Sequence, residues 1–335
     1  MHITSTGFKS IGEKNRSIYL AQIFNMASIM GRSMSLVVQV RKLKAERNAV
    51  ILAHNYQVPE VQDIADFVGD SLGLSMQATR TKADVIVFCG VDFMAESAKV
   101  LNPSKTVLLP KLDAQCPMAA MLDVEGLLEL KKRHPGAEVV GYVNSSAATK
   151  AEMDVCCTSS NAVKVVSSLR SDKVIFVPDE NLGRWVQRSV RDKEMILWPG
   201  FCPTHNSVTP AQVLKEKELH PQAKVLAHPE CRPEVLDIAD AVKSTEGMIK
   251  FVKESPYKEF IIVTERELLH RLKKETQGKR FFSIPGMVCP NMKRIDLASV
   301  LSSLEGLKHE ITLPVDVMRR ARVPLERMMA IGRGD

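Results

Sequence analysis

Three apolar runs, each ending in polar residues, recur along the chain: AVILAHNY at 49–56, AEVVGYVN at 137–144 and AKVLAHPE at 223–230. Short runs of this kind, largely β-branched, predict buried strands of a parallel sheet, each delivering a polar tip beyond its end. A second set follows the first downstream: DVIVFCG, KVIFVPD and EFIIVTE. A third set, TVLLPKLDAQC, MILWPGFC and FFSIPGMVC, runs through proline into a cysteine. The stretches between them, such as PEVQDIADFV, NAVKVVSSLR and ERELLHRLKKE, carry apolar residues at helical spacing, and Pro59 sits where a first helical turn accepts it.

The spacing of these runs is regular. Cys116, Cys202 and Cys289 are 86 and 87 positions apart, the tips His54, Tyr142 and His228 are 88 and 86 apart, and Ser71, Ser159 and Ser244 are 88 and 85 apart. Three independent markers on one period mean an internal repeat. Strands alternating with helices within each copy predict an α/β protein of three pseudo-repeated parallel-sheet domains around a pseudo-threefold axis. The expected boundaries are an N-terminal extension over 1–35, read as flexible, then repeats at 36–118, 119–205 and 206–295. C-terminal helices over 296–335, including a helical segment from Pro314 to Ile331, are expected to pack back on the first repeat. Chemistry in such sheets collects beyond the carboxyl ends of the strands, so all three marker sets are expected to converge.

With 335 residues, 45% hydrophobic and 25% charged, the chain reads as a soluble globular protein of one large core or several compact domains. No stretch reaches the roughly 18 to 20 uninterrupted apolar residues that a membrane span needs. Even Ile18 to Met30 is broken by Gln22, Asn25 and Ser28. The net charge of +7 suggests an anionic partner, but residues 1–50 hold eight Lys and Arg against two Asp and Glu, almost the whole excess. The basic charge therefore does not mark a folded face, which argues against nucleic acid. The stretch before Met34 lacks both a clean apolar core and a small-residue cleavage site, so it reads as a tail or an upstream start rather than a signal peptide. Seven cysteines with no export signal predict a reducing, cytoplasmic setting and thiols or metal ligands rather than disulfides.

Cys116, Cys202 and Cys289 offer one thiol per repeat. Cys89, inside an apolar strand, and the vicinal Cys156 and Cys157 read as small buried hydrophobes, while Cys231 in HPEC adjoins polar candidates and stays ambiguous. A structural zinc site could take His205 of CPTH as a fourth ligand, although such sites usually draw ligands in close sequence pairs and none of the three cysteines has a CxxC neighbour. An iron-sulfur cluster with three thiolates and one open iron is the other reading, and an open iron acts as a Lewis acid. Around that position the repeats place His54, Tyr56, Tyr142, Asn144, His228 and Glu230, among them the residue types that move protons near neutral pH. Ser71, Ser159, Ser244 and Thr245 each precede a candidate helix. They either cap it or, with the helix starts, form an anion pocket.

The ordered motifs ILAHNYQVPEVQDIADFVGDS, GVDFMAE, CPMA, YVNS, CTSSNAV, PDENLG, CPTH, HPEC and MVCPNMK together resemble the quinolinate synthase family, from about Lys42 to about Met329. The resemblance implies a 4Fe-4S cluster held by Cys116, Cys202 and Cys289 with one iron left open. It implies condensation of iminoaspartate with dihydroxyacetone phosphate to quinolinate, with loss of phosphate and two waters, in de novo NAD biosynthesis. It also implies a functional link to an enzyme that produces iminoaspartate. Proton-transfer roles would fall to Tyr56, Tyr142 and Glu230, and carboxylate or phosphate contacts to His54, Ser71, Asn144, Ser159, His228, Ser244 and Thr245. The chain departs from the family pattern at Glu246, where a small residue is usual, which brings a negative charge toward the expected anion pocket. Radical enzymes of diphthamide synthesis also draw one cysteine from each of three domains, but the HNY, YVNS and HPEC tips argue against that assignment. A noncatalytic cluster-bearing sensor would have no use for those tips.

Overall fold

The computed structural model describes residues 34–334. The expected extension therefore lies outside the described residues except for 34 and 35, which already belong to a helix running to residue 46.

Three four-stranded sheets follow, every pairing parallel. The first is built from β1 (Ala49–His54), β2 (Phe67–Gly69), β3 (Val85–Cys89) and β4 (Thr106–Leu108), in the order β2-β1-β3-β4. The second uses β5 (Glu138–Tyr142), β6 (Val155–Cys157), β7 (Lys173–Val177) and β8 (Glu194–Leu197), in the order β6-β5-β7-β8. The third uses β9 (Lys224–Ala227), β10 (Ala241–Val242), β11 (Glu259–Val263) and β12 (Arg280–Ser283), in the order β10-β9-β11-β12. The same strand order three times is the structural form of the sequence period. The fold is α/β with three all-parallel sheets in a repeated arrangement.

Each central pair is made of the runs that are apolar on both faces. The strand VIVFC of β3 is buried at every position, and AVILAH of β1 at all but its first. Helices cover both faces of such sheets, which is why no alternation survives. The third sheet shows this directly: Val225, Ala227, Ile261 and Val263 belong to one apolar cluster, and Leu226, Phe260 and Ile262 to another. Successive residues point to opposite faces of the strand. The first and second sheets instead share one continuous core, which also takes in Val300, Leu304, Leu325 and Met328 from the C-terminal segment.

That segment divides. The helix Leu297–Gly306 packs on β3 of the first sheet, whereas the helix Val315–Ile331 lies in the seam between repeats, against the helix Asp92–Leu101 on one side and β6 with the helix Ala147–Lys150 on the other. Its buried face is Ala321, Pro324, Leu325 and Met328. A stripe of this kind needs apolar partners, and the seam supplies them from both repeats. Beyond the helix, Arg333 makes a two-armed ion pair with Asp70 at 2.7 Å in each arm, and Gly334 N–H donates to the Ser160 carbonyl at 2.9 Å. The end of the described chain is thus fastened to both repeats.

Candidate active site

The carboxyl ends of the three sheets face one shared cavity. His54, Tyr56, Ser71, Cys116, Tyr142, Asn144, Ser159, Cys202, His228, Glu230, Thr245 and Cys289 all line it, so of the expected site residues only Ser244 does not. The reason is local. Ser244 caps the helix Thr245–Glu254, accepting from Gly247 N–H at 3.1 Å. The capping alternative describes Ser244 and not the others: the helix Ser71–Arg80 is capped by Asp70, leaving Ser71 as its first residue. Ser159 lies outside the short helix Ala162–Ser167 and instead shares a hydrogen bond with His228 Nε2 at 3.2 Å.

Glu230 is the centre of the polar wall. Its Oε2 lies 2.7 Å from His205 Nδ1, its Oε1 accepts from Asn144 Nδ2 at 3.5 Å, and the Tyr142 hydroxyl hydrogen-bonds to the same carboxylate. Burial pushes this carboxyl up, but His205, His228 and Tyr142 together outweigh burial and hold it below the usual carboxylate range. A second path reaches it from Tyr56. The Tyr56 hydroxyl lies 2.6 Å from Thr264 Oγ1, and Thr264 Oγ1 lies 2.8 Å from His205 Nε2. The His205 and His228 rings stack with centroids 4.7 Å apart, and the His54 ring meets Tyr56 edge-on at 4.5 Å.

Electrostatics keep most of these groups neutral. Burial lowers His54 to a pKa of about 4 and His228 to about 3, so both are neutral imidazoles near pH 7. Burial and the Glu230 charge raise both tyrosines well above their ordinary value. Burial likewise pushes the Cys116 thiol up to about 12 and raises Cys202 and Cys289. The cationic side chains at the rim are committed: Lys293 pairs with Glu265 at 2.7 Å, and Arg333 with Asp70. An anion entering here meets hydroxyls, neutral imidazoles and the starts of the ten-residue helices Ser71–Arg80 and Thr245–Glu254.

Two observations bear on a bound group. Three free thiols, one from the loop after each sheet's last strand, share the cavity wall, a donor set that suits a soft, thiolate-ligated metal centre. Cys202 also belongs with His205 and Glu230 to a set whose potential ligand atoms all lie within 4.8 Å of one another. Second, Asn144 Oδ1 is buried with no partner among the described residues, an acceptor left for a donor that is not part of the protein. Cys89, Cys156 and Cys157 are core thiols, and Cys231 is too: it is fully buried and points at the Val263 carbonyl 3.7 Å away.

Glu246, the departure from the expected pattern, does not bring an unpaired charge to the cavity. It is chelated by the Arg271 guanidinium, through Nη1 to Oε1 and through Nη2 to Oε2. Arg271 Nη1 also donates to Asn55 Oδ1 at 2.8 Å, and Asn55 Nδ2 in turn donates to Thr245 Oγ1 at 3.0 Å. Four further residues at the site had gone unassigned: Asp92, Asp179 and Glu265 at the strand ends, and Thr264. The signal for the first three was present, since Asp92, Asp179 and Glu265 repeat at 87 and 86 positions. Thr264 has no repeat counterpart that would mark it.

Taken together, parallel α/β layers that aim their strand ends, one thiol each, into a shared polar cavity define a three-sheet α/β protein with a candidate thiolate centre. Residues 38–330 match the family described as Quinolinate synthetase A protein. The chain is 58% identical over 297 residues to a quinolinate synthase of Methanosarcina barkeri, covering 88% of this chain and 97% of that protein. It is 57% identical to Quinolinate synthase 1 of Methanosarcina acetivorans with the same coverage, and 52% identical over 298 residues to a quinolinate synthase of Alkaliphilus metalliredigens, covering 89% and 98%. The chain belongs to the quinolinate synthase family. Among the described residues no helix is long and apolar enough to cross a membrane.

Proposed function

We propose that this protein condenses iminoaspartate with dihydroxyacetone phosphate to quinolinate, releasing phosphate and two waters, as a transferase-type step of NAD biosynthesis in the cytoplasm. The observation that carries this reading is the convergence on one cavity of a thiol from every repeat and a buried carboxylate, Glu230, on which both tyrosine paths end. Family membership supports it independently. A 4Fe-4S cluster on Cys116, Cys202 and Cys289, with one iron open, would supply a Lewis acid for the dehydrations.

The protein's own groups do the rest. Iminoaspartate carries two carboxylates and the triose a phosphate, and their charge suits Ser71, Ser159 and Thr245 beside the helix starts and the neutral His54 and His228. Neutral imidazoles bind without a fixed positive charge, which lets a phosphate leave once formed. Ring closure demands repeated proton transfers. Tyr142 passes a proton at its hydroxyl as the Glu230 carboxylate takes one up or returns it, so that no tyrosinate stands beside the charged carboxylate; Tyr56 serves the far side, its hydroxyl held by Thr264. Asn144 Oδ1, buried without a partner among the described residues, accepts from an N–H or O–H of the substrate.

The test is quinolinate formation by anaerobically purified protein given dihydroxyacetone phosphate and freshly generated iminoaspartate. Product is the expected result. No product from protein with a verified intact cluster would overturn the reading in favour of a sensor or a radical enzyme.

A further inference from the structure

The geometry points to Asp92, Asp179 and Glu265 as positioning residues that hold the loops of Cys116, Cys202 and Cys289 in place before any metal binds. The inference rests on the proposed thiolate centre for its purpose, but its geometry is independent of it. Each acid stands just beyond β3, β7 or β11, the central strand beside the one that runs into the cysteine loop.

In the first repeat the Cys116 backbone N–H donates to Asp92 Oδ1 at 3.1 Å. In the third the Cys289 N–H donates to Glu265 Oε1 at 3.3 Å. In the second, Asp179 Oδ1 accepts from Leu182 N–H at 2.8 Å and the carboxylate stands beside the Cys202 amide, with no hydrogen-bond partner for Oδ2 among the described residues. A backbone bond reinforces each contact two residues before the cysteine. Asp92 N–H donates to the Ala114 carbonyl at 2.9 Å, Glu180 N–H to Gly200 at 2.8 Å and Arg266 N–H to Met287 at 3.0 Å. The second loop is pressed so close that a Cβ at Gly200 would sit 2.4 Å from the Pro178 carbonyl oxygen.

One contact of this kind is ordinary loop chemistry. Two, at matching positions of diverged repeats, with a third acid at the same position in the second repeat and with Asp179 and Glu265 at 0% exposure, mark a device for fixing where the thiols stand. A loop already ordered does not have to be ordered by the metal, so what the carboxylates contribute is retention of the bound group. Lysines offset two of these charges, the buried Lys150 near Asp92 and the half-buried Lys293 on Glu265, so the acids remain beside the thiols at lower cost.

The experiment reads each loop separately in metal-free protein. Alkylation of Cys116, Cys202 and Cys289 by N-ethylmaleimide is followed by mass spectrometry for wild type, Asp92→Ala, Glu265→Ala, Asp92→Asn and Glu265→Gln. Asp92→Ala is expected to speed modification of Cys116 roughly tenfold, and Glu265→Ala that of Cys289, as loss of one hydrogen bond to a charged group implies. Asn and Gln keep the accepting oxygen and are expected to restore most of the protection. Reconstituted Ala variants should also lose iron to a chelator roughly tenfold or more faster than wild type. Equal acceleration at all three cysteines, or none, would overturn the inference. A local alkylation pattern in protein that never holds iron would leave it standing and count against the proposed cluster instead.

Discussion

His205 Nδ1 lies 2.7 Å from Glu230 Oε2, and both side chains are almost wholly buried. Because His205 uses its other nitrogen to reach Thr264, and Thr264 reaches Tyr56, the contact joins two tyrosines from different repeats to one carboxylate. Replacing Glu230 by Gln keeps the shape and removes the charge. Quinolinate formation is expected to fall by roughly 10²- to 10⁴-fold, the range for losing a general acid or base, with a smaller change in substrate affinity. Steady-state kinetics on the loaded protein decide it, and a variant retaining near wild-type turnover would remove Glu230 from the chemistry.

Acid sensitivity should be carried in part by two histidines. His54 and His228 have folded pKa values depressed by burial to about 4 and about 3, so the unfolded chain binds protons that the folded one refuses. The sign follows: nothing is lost above the unfolded value of about 6.5, and stability declines as pH falls from there toward the folded values, by on the order of 3 kcal/mol for His54. Denaturant unfolding of the metal-free protein between about pH 7 and pH 4 measures the slope. His54→Gln should flatten it, and an unchanged slope would mean that the imidazole protonates without cost.

The thiols predict a second pH effect, of opposite origin. Burial raises all three, Cys116 to about 12, so metal must displace protons to bind. Retention of iron against a chelator should therefore weaken as pH drops from about 8 to about 6. Cys116→Ala, Cys202→Ala and Cys289→Ala should each abolish stable iron binding, whereas Cys231→Ala should not. Iron analysis on anaerobic preparations separates these outcomes.

Glu246 and Arg271 are a partly buried pair, with side chains 21% and 17% exposed. Glu246→Ala alone leaves the guanidinium without its two-armed partner and is expected to cost roughly 1–3 kcal/mol. The double variant Glu246→Ala, Arg271→Met should recover part of that loss, because the Nη groups that lose Glu246 are gone, although Arg271's pairing with Glu275 goes with them. Denaturant midpoints for the four proteins of the cycle provide the check; simple additivity would mean that the pair contributes no coupling.

Much of this architecture can be read from residues alone because the chain states it three times. The strand runs, the proline-to-cysteine approaches and the tips His54, Tyr142 and His228 share one period, and the period survives in three sheets of identical strand order. What stayed hidden is whatever happens once. Thr264 joins Tyr56 to His205 across 208 and 59 positions, and nothing near it in sequence points to either. The Arg271 clasp on Glu246 is equally silent, since the two lie on different helices 25 residues apart. The serines were ambiguous for a different reason. A hydroxyl at a helix start serves a cap or a ligand equally well, and only the backbone shows that Asp70 takes the capping position from Ser71 while Ser244 keeps its own.

The fastening of Arg333 to Asp70 sets a limit on how far the protein can be shortened. Residues that wall or brace the cavity run from His54 to Arg333, so a protein shortened to end before residue 333 would keep all three sheets yet lose the clasp on Asp70, a residue of the cavity wall.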